Sequence, residues 1–246
     1  MRIEQELKVI FEPEVLGADY IFKLPENVKE IFIGVEPNVT LNGLLFQKKE
    51  NSFLMVYFQG NAKNLQNFLD THHMVLDWGY DVLVTDYRSF GKSTGVLSGE
   101  TQMYADADKV YDYALQLGYR PENIIFYGYS MGTSLAAYLA STRSAKAVIM
   151  ESAYSSLPEV AWVGHQTPSF ELNSAKKANR INIPALLIHG DQDDVITPDH
   201  SERIFANLGV VKKQRIVVEN GGHGDLRKRP EYKNYINDFI EGISKG

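Results

Sequence analysis

Six short apolar runs constrain the fold of this chain more than anything else in it. FLMVYF (53–58), DVLVTDY (81–87), NIIFYG (123–128), AVIME (147–151), ALLIHG (185–190) and QRIVVE (214–219) are nearly continuous, and Gly, Pro, Asn or charged residues bound them. Strands buried on both faces have this pattern, because neither side of such a strand meets water. Helical patterns lie between them at 62–78, 101–118, 132–143, 200–208 and 230–243. A strand and helix alternation of this kind predicts an α/β fold, a mostly parallel sheet with helices on both faces. Upstream, EIFIGVEPNVTLNGLLFQ holds two strand-like runs split by Pro37-Asn38, which predicts an antiparallel pair at the leading edge of the sheet. No long linker, repeat or low-complexity tract interrupts the sequence, so one domain over residues 1–246 is expected.

Composition removes several function classes. The formal net charge of -6 gives no attraction for nucleic acid or an anionic membrane. The absence of cysteine excludes disulfides, thiolate catalysis and Cys-based zinc sites. The opening MRIEQELKVIFEPEVL is interrupted by Glu4, Glu6, Lys8 and Glu12, so it offers no apolar core for a signal peptide or a membrane span. A cytoplasmic chain with no nucleic-acid partner and no membrane span is therefore expected. The oligomeric state is left open.

The chemistry centres on Gly128-Tyr129-Ser130-Met131-Gly132. A GxSxG pentapeptide arises by chance in about one chain in twelve of this length, so its surroundings must decide. NIIFYG runs directly into it and the small-residue helix MGTSLAAYLA directly out. So abrupt a strand-to-helix turn holds the serine hydroxyl proud at the carboxyl end of the sheet, and Gly128 and Gly132 stand where a Cβ would collide with neighbouring strand and helix. The helix start also offers the Met131 N–H to an oxyanion.

A serine hydroxyl needs a base, and the base needs an orienting acid. Of six histidines, His72 and His73 lie in a helical run, His189 ends a buried strand, and His200 follows Thr197-Pro198-Asp199 at a helix start, which predicts a surface position. His165 sits in a loop with nothing in its spacing to favour it. His223 stands in Asn220-Gly221-Gly222-His223-Gly224-Asp225, a glycine-rich loop just past the last strand, where the backbone is free to place an imidazole. It is the expected general base. The acid should fall between serine and histidine in the chain, and Asp191, Asp193 and Asp194 in ALLIHGDQDDVITP all qualify, with Glu151 a fourth candidate one strand earlier. Spacing does not choose among them. The second oxyanion donor is expected from the turn after FLMVYF, at the Asn61 backbone N–H.

Taken together these segments resemble the α/β-hydrolases, and within them a small-capped bud-emergence-type branch related to protein depalmitoylases and prolyl-oligopeptidase-like serine hydrolases. YFQGNAKNL resembles the branch's oxyanion loop, DYRSFGKSTG (86–95) its DYRGxGxSxG loop, GYSMG its elbow, ESAYSSL (151–157) the segment after its sixth core strand, and HGDQDDVI and GGHGD its acid and base loops. The resemblance implies a sheet of about eight strands, a minimal cap and no metal or organic cofactor. It places the acid at Asp193, and it makes Asp86 and Arg88 structural residues of their loop. Three positions depart from the pattern: Gln59 replaces a histidine, Lys63 a common glycine, and Ser89 the glycine of DYRG. These put the shape of the oxyanion loop in question.

The expected activity is cleavage of carboxylic esters or thioesters by Ser130, His223 and Asp193 through an acyl-enzyme. The substrate is a small or acylated molecule. Only residues 153–183 are available for a cap, which predicts an open site, with Gln59, Tyr129, Trp162 and Phe170 as candidate substrate contacts. A serine peptidase or amidase on the same framework is the alternative; a non-catalytic binding protein of this fold would be expected to lose a triad member.

Overall fold

A computed structural model describes residues 3–48, 53–164, 166–167 and 169–245. The chain begins with helix α1 (Ile3–Ile10), strand β1 (Glu12–Pro13) and the antiparallel pair β2 (Val28–Glu36) and β3 (Val39–Phe46). Then come β4 (Leu54–Phe58), β5 (Ala62–Lys63), α2 (Leu65–Thr71), β6 (Asp81–Thr85), α3 (Glu100–Gln116), β7 (Ile124–Tyr129) and α4 (Gly132–Thr142). The last third holds β8 (Ala147–Glu151), α5 (Ser174–Ala178), β9 (Ala185–Gly190), α6 (Asp199–Asn207), β10 (Lys213–Val218) and α7 (Tyr232–Ser244).

Eight strands form one sheet in the order β10-β9-β8-β7-β4-β6-β3-β2. Neighbours run parallel from β10 to β6, and β3 and β2 are antiparallel. The hairpin β2–β3 turns at Asn38, whose φ of 63° lies in the left-handed region that asparagine tolerates. The five central strands are buried at every position except Tyr129, the last residue of β7, as their continuous apolar runs require. β10 differs: it is the edge strand, and Val217 is 46% exposed.

The two-residue period of a strand sends alternate side chains to opposite faces and makes two cores. Leu54, Val56 and Phe58 meet α3 and α4 on one face; Met55 and Tyr57 meet α2 and α7 on the other. The helical pattern at 62–78 is shorter than its sequence span. Lys63 takes φ 69°, Asn64 caps α2 by accepting from the N–H groups of Gln66 and Asn67, and the chain tightens into a 3-10 turn at His73–Asp77. In the cap segment Leu157, Val160, Val163 and Phe170 are drawn inward while Trp162 stays exposed, and the regular structure is one 3-10 turn (Leu157–Glu159) and the short α5. None of the described helices is long and apolar enough to cross a membrane.

Candidate active site

Strand β7 and helix α4 are separated by two residues, and Ser130, the first of them, is bent to φ 51°. A non-glycine residue there is strained by about 1–2 kcal/mol. Hydrogen bonds on both sides hold it: the Ser130 N–H donates to the Glu151 carbonyl at 2.9 Å, and the Ser130 carbonyl accepts the Thr133 N–H at 3.0 Å and its hydroxyl at 2.6 Å. The flanking glycines are obligatory. A Cβ on Gly128 would stand 2.5 Å from the Gly132 carbonyl oxygen, and one on Gly132 would stand 2.1 Å from the Phe58 carbonyl oxygen.

The structure brings Ser130, His223 and Asp193 into one line. His223 Nε2 lies 2.9 Å from Ser130 Oγ, and His223 Nδ1 lies 2.8 Å from Asp193 Oδ2. Asp193 is fully buried as a side chain. Burial opposes its ionisation, but hydrogen bonds from His189 and His223, the His223 charge and the Ile196 N–H outweigh it and hold the carboxyl well below the usual range. An ionised Asp193 can only accept, so His223 carries its proton on Nδ1 and turns the Nε2 lone pair to the serine hydroxyl. Oδ1 accepts the N–H groups of Val195 and Ile196, at 3.1 and 2.8 Å, which fixes the carboxylate plane.

The other acid candidates are placed elsewhere. Asp191 and Asp194 are exposed. Glu151 is buried, pairs with Arg227 at 2.6 Å and accepts the Tyr127 hydroxyl. Among the other histidines, His189 Nε2 donates to the Ile196 carbonyl at 2.8 Å and stands 3.2 Å from Asp193 Oδ2. His200 is not at the surface as expected: it is 5% exposed and its Nδ1 accepts the Ser155 N–H at 3.2 Å, because α6 turns that face onto the cap segment. His165 lies outside the described residues.

A cavity of about 390 Å³ opens at Ser130 and His223. Its lining includes the apolar side chains of Leu157, Val160, Trp162, Val195 and Ile196 and the polar ones of Asn61, Lys63, Asn67 and His72. The Asn61 and Met131 residues both line it, and neither backbone N–H has an acceptor among the described residues. Tyr129 and Trp162, both candidate substrate contacts, line the cavity. Phe170 does not. It is 0% exposed and packs edge-to-face on Phe11 at 5.8 Å, since the segment just past α1 folds against this part of the cap. Gln59 borders the cavity, but its amide donates inward to the Thr85 carbonyl and Asp86 Oδ1, both at 3.2 Å.

Asp86 and Arg88 take structural positions. Asp86 also accepts the Leu65 N–H, and burial pushes its carboxyl up to about 8. Arg88 forks onto Asp106 with two contacts of 2.7 Å. Lys63 and Ser89, two of the departures from the branch pattern, both adopt left-handed φ, 69° and 68°, so the loops keep a glycine-like backbone without glycine.

Two features were not read from sequence. The N-terminal segment straps the loop that carries Asn61: the Asn61 side-chain amide donates to the Ile10 carbonyl at 2.6 Å, and the Glu12 N–H donates to the Asn61 carbonyl at 3.0 Å. The spacing of Ile3, Leu7 and Ile10 was a helix signal for this segment. The second feature is Arg227, buried at 3% exposure beneath the elbow, for which the sequence holds no signal.

The family description "alpha/beta hydrolase fold" matches residues 54–166, and that of serine aminopeptidase, S33, matches residues 173–228. The chain belongs to the α/β-hydrolase superfamily. This α/β-hydrolase is 29% identical over 242 residues to an uncharacterized protein of Acanthamoeba polyphaga mimivirus, covering 88% of the chain and 82% of that relative. It is 34% identical over 158 residues to human alpha/beta hydrolase domain-containing protein 17C, covering 63% of the chain and 47% of the relative. The α/β-hydrolase thus spans about half the length of that relative. An esterase of Pyrococcus furiosus has the same fold, with a TM-score of 0.74 at 20% identity over 95% of this chain and 98% of the esterase.

Proposed function

We propose that the chain is a serine hydrolase of carboxylic esters or thioesters. The observation that carries this is the unbroken series Asp193, His223, Ser130, with contacts of 2.8 and 2.9 Å, opening onto a cavity. Ser130 Oγ attacks the carbonyl carbon while His223 Nε2 takes its proton; the same proton then goes to the departing alcohol or thiol. Asp193 keeps the imidazole in the required tautomer and stabilises its cation. Water, activated by His223, hydrolyses the acyl-enzyme and returns Ser130 to its resting form. The acceptor-free N–H groups of Asn61 and Met131 are suited to the tetrahedral oxyanion, each contributing roughly 3 kcal/mol to its stabilisation.

The mixed apolar and polar lining suits a substrate with an acyl chain and a polar leaving group. An acyl chain rests on Leu157, Val160 and Trp162, and a polar leaving group faces Asn67 and His72. Labelling with a fluorophosphonate tests the reading: wild type is expected to label and Ser130→Ala to stay blank. Folded wild-type protein that takes no label would sink it. The match of residues 173–228 to a serine aminopeptidase description favours one second reading, amide cleavage by the same residues. Turnover of an aminoacyl anilide in preference to the matching ester would establish that reading instead.

A further inference from the structure

Arg227 and Glu151 form an ion pair with both side chains sealed from solvent, NH1 to Oε2 at 2.6 Å. The mechanism above uses neither charge. Removing two charges from water carries a large penalty, and aligned hydrogen bonds do not offset it fully: Nε and NH1 of Arg227 and Oε1 of Glu151 have no hydrogen-bond partner among the described residues. Replacing a buried pair by apolar side chains of the same volume is often neutral or stabilising, so stability alone does not account for this one.

Three pieces of the site meet at it. Glu151 ends β8, and its backbone carbonyl accepts the Ser130 N–H at 2.9 Å. The Arg227 guanidinium lies 3.7 Å from the centroid of the Tyr129 ring, and that ring lies 5.5 Å from the His223 imidazole. Arg227 itself follows His223 by four residues, in a 3-10 turn (Leu226–Lys228) anchored by the fully buried Leu226. Its NH2 also donates to His72 Nε2 at 3.1 Å, and His72 lines the cavity. From these contacts we infer that Arg227 is a positioning residue: it clamps the base loop onto the elbow, through Glu151 and the Tyr129 face, and so sets the reach of His223 Nε2 to Ser130 Oγ. The inference rests on the serine-hydrolase reading.

Neutralising the pair as a pair separates positioning from mere stability. Arg227→Met combined with Glu151→Gln removes both buried charges and leaves an acceptor for Tyr127. The double variant is expected to melt near wild type, yet to lose about tenfold to 10²-fold in kcat on a p-nitrophenyl ester with KM little changed, the penalty of a displaced base. Arg227→Lys keeps the charge without the planar stack, and is expected to melt near wild type while recovering only part of that kcat. A folded double variant with wild-type kcat overturns the inference. If the double variant does not fold, Arg227→Lys is read alone: reduced kcat in the folded protein supports the inference, and wild-type kcat overturns it. Wild-type protein that takes no fluorophosphonate overturns the serine-hydrolase reading itself; labelled wild type with an unimpaired double variant overturns the positioning inference alone.

Discussion

Single residues carry two kinds of strain here, one used by the chemistry and one not. At Ser130 the left-handed backbone presents the hydroxyl to His223 Nε2 at 2.9 Å, and Gly128 and Gly132 make room for the turn. At Ser89 the same conformation, φ 68°, serves only the loop, with one hydrogen bond of 3.3 Å from its Oγ to the Gly95 carbonyl. Ser89→Gly is therefore expected to stabilise the protein by roughly 0.5–1 kcal/mol, the relief of αL strain less the added unfolded-state freedom, as read from urea unfolding. Unchanged stability would show that Ser89 is not strained. The acid is the second test at this scale. Asp193→Asn should lower kcat by about 10⁴, because an amide cannot fix the imidazole tautomer. The exposed Asp191, mutated to Asn, is expected to leave kcat within about twofold. Reversed results for these two variants would reassign the acid. Asp193 was one of four candidates on spacing and was singled out by resemblance; its burial, its two N–H donors and its imidazole partner exist only once β9 and β10 lie side by side.

At the scale of elements, the oxyanion loop depends on a segment far from it in the fold's core order. Residues 59–63 carry Asn61, whose side chain is tied to the C-terminus of α1 and whose carbonyl is tied to Glu12 in β1. Asn61→Ala keeps the backbone N–H and removes the side-chain tether. It is expected to lower kcat about tenfold with little change in KM, because a looser donor fits the oxyanion less well than the bound ester. An unchanged kcat would mean the strap has no part in positioning Asn61. The cap obeys similar logic. Trp162 and Phe170 read alike in sequence as large apolar members of one short segment, yet one lines the cavity at 44% exposure and the other is fully buried. What separates them is the N-terminal segment, where Phe11, just past α1, packs edge-to-face onto Phe170. No local pattern near residue 170 announces a partner from residue 11.

Across the whole molecule, packing changes the protonation of groups that no local motif marks. His72 is drawn into the junction of β7, α2 and the base loop, and burial first, then the charges of Arg227 and Lys228, lower its pKa to about 3. In the unfolded chain it would titrate near 6.5. Between those values the unfolded state binds a proton that the folded state refuses, so stability falls as pH drops from about 6.5 toward 3 and is fully present above 6.5. His72→Gln is expected to reduce the slope of unfolding free energy against pH between 5 and 6 by at most about 1.4 kcal/mol per pH unit, one proton's worth. An identical slope in the variant would place that acid sensitivity elsewhere. The sheet shows how far local pattern reaches. Continuous apolar runs marked the five central strands, buried but for Tyr129, and the GxSxG turn with ordered acid and base loops pointed to Ser130 and His223 as candidates, because burial on two faces and a strand-to-helix turn each demand a residue pattern that can be read in one dimension. The strap on Asn61, the burial of Phe170 and His200, and the clamp of Arg227 on Tyr129 were decided by tertiary structure alone. Each joins residues separated by at least 45 positions, and a contact over that distance leaves no periodicity in the sequence between them.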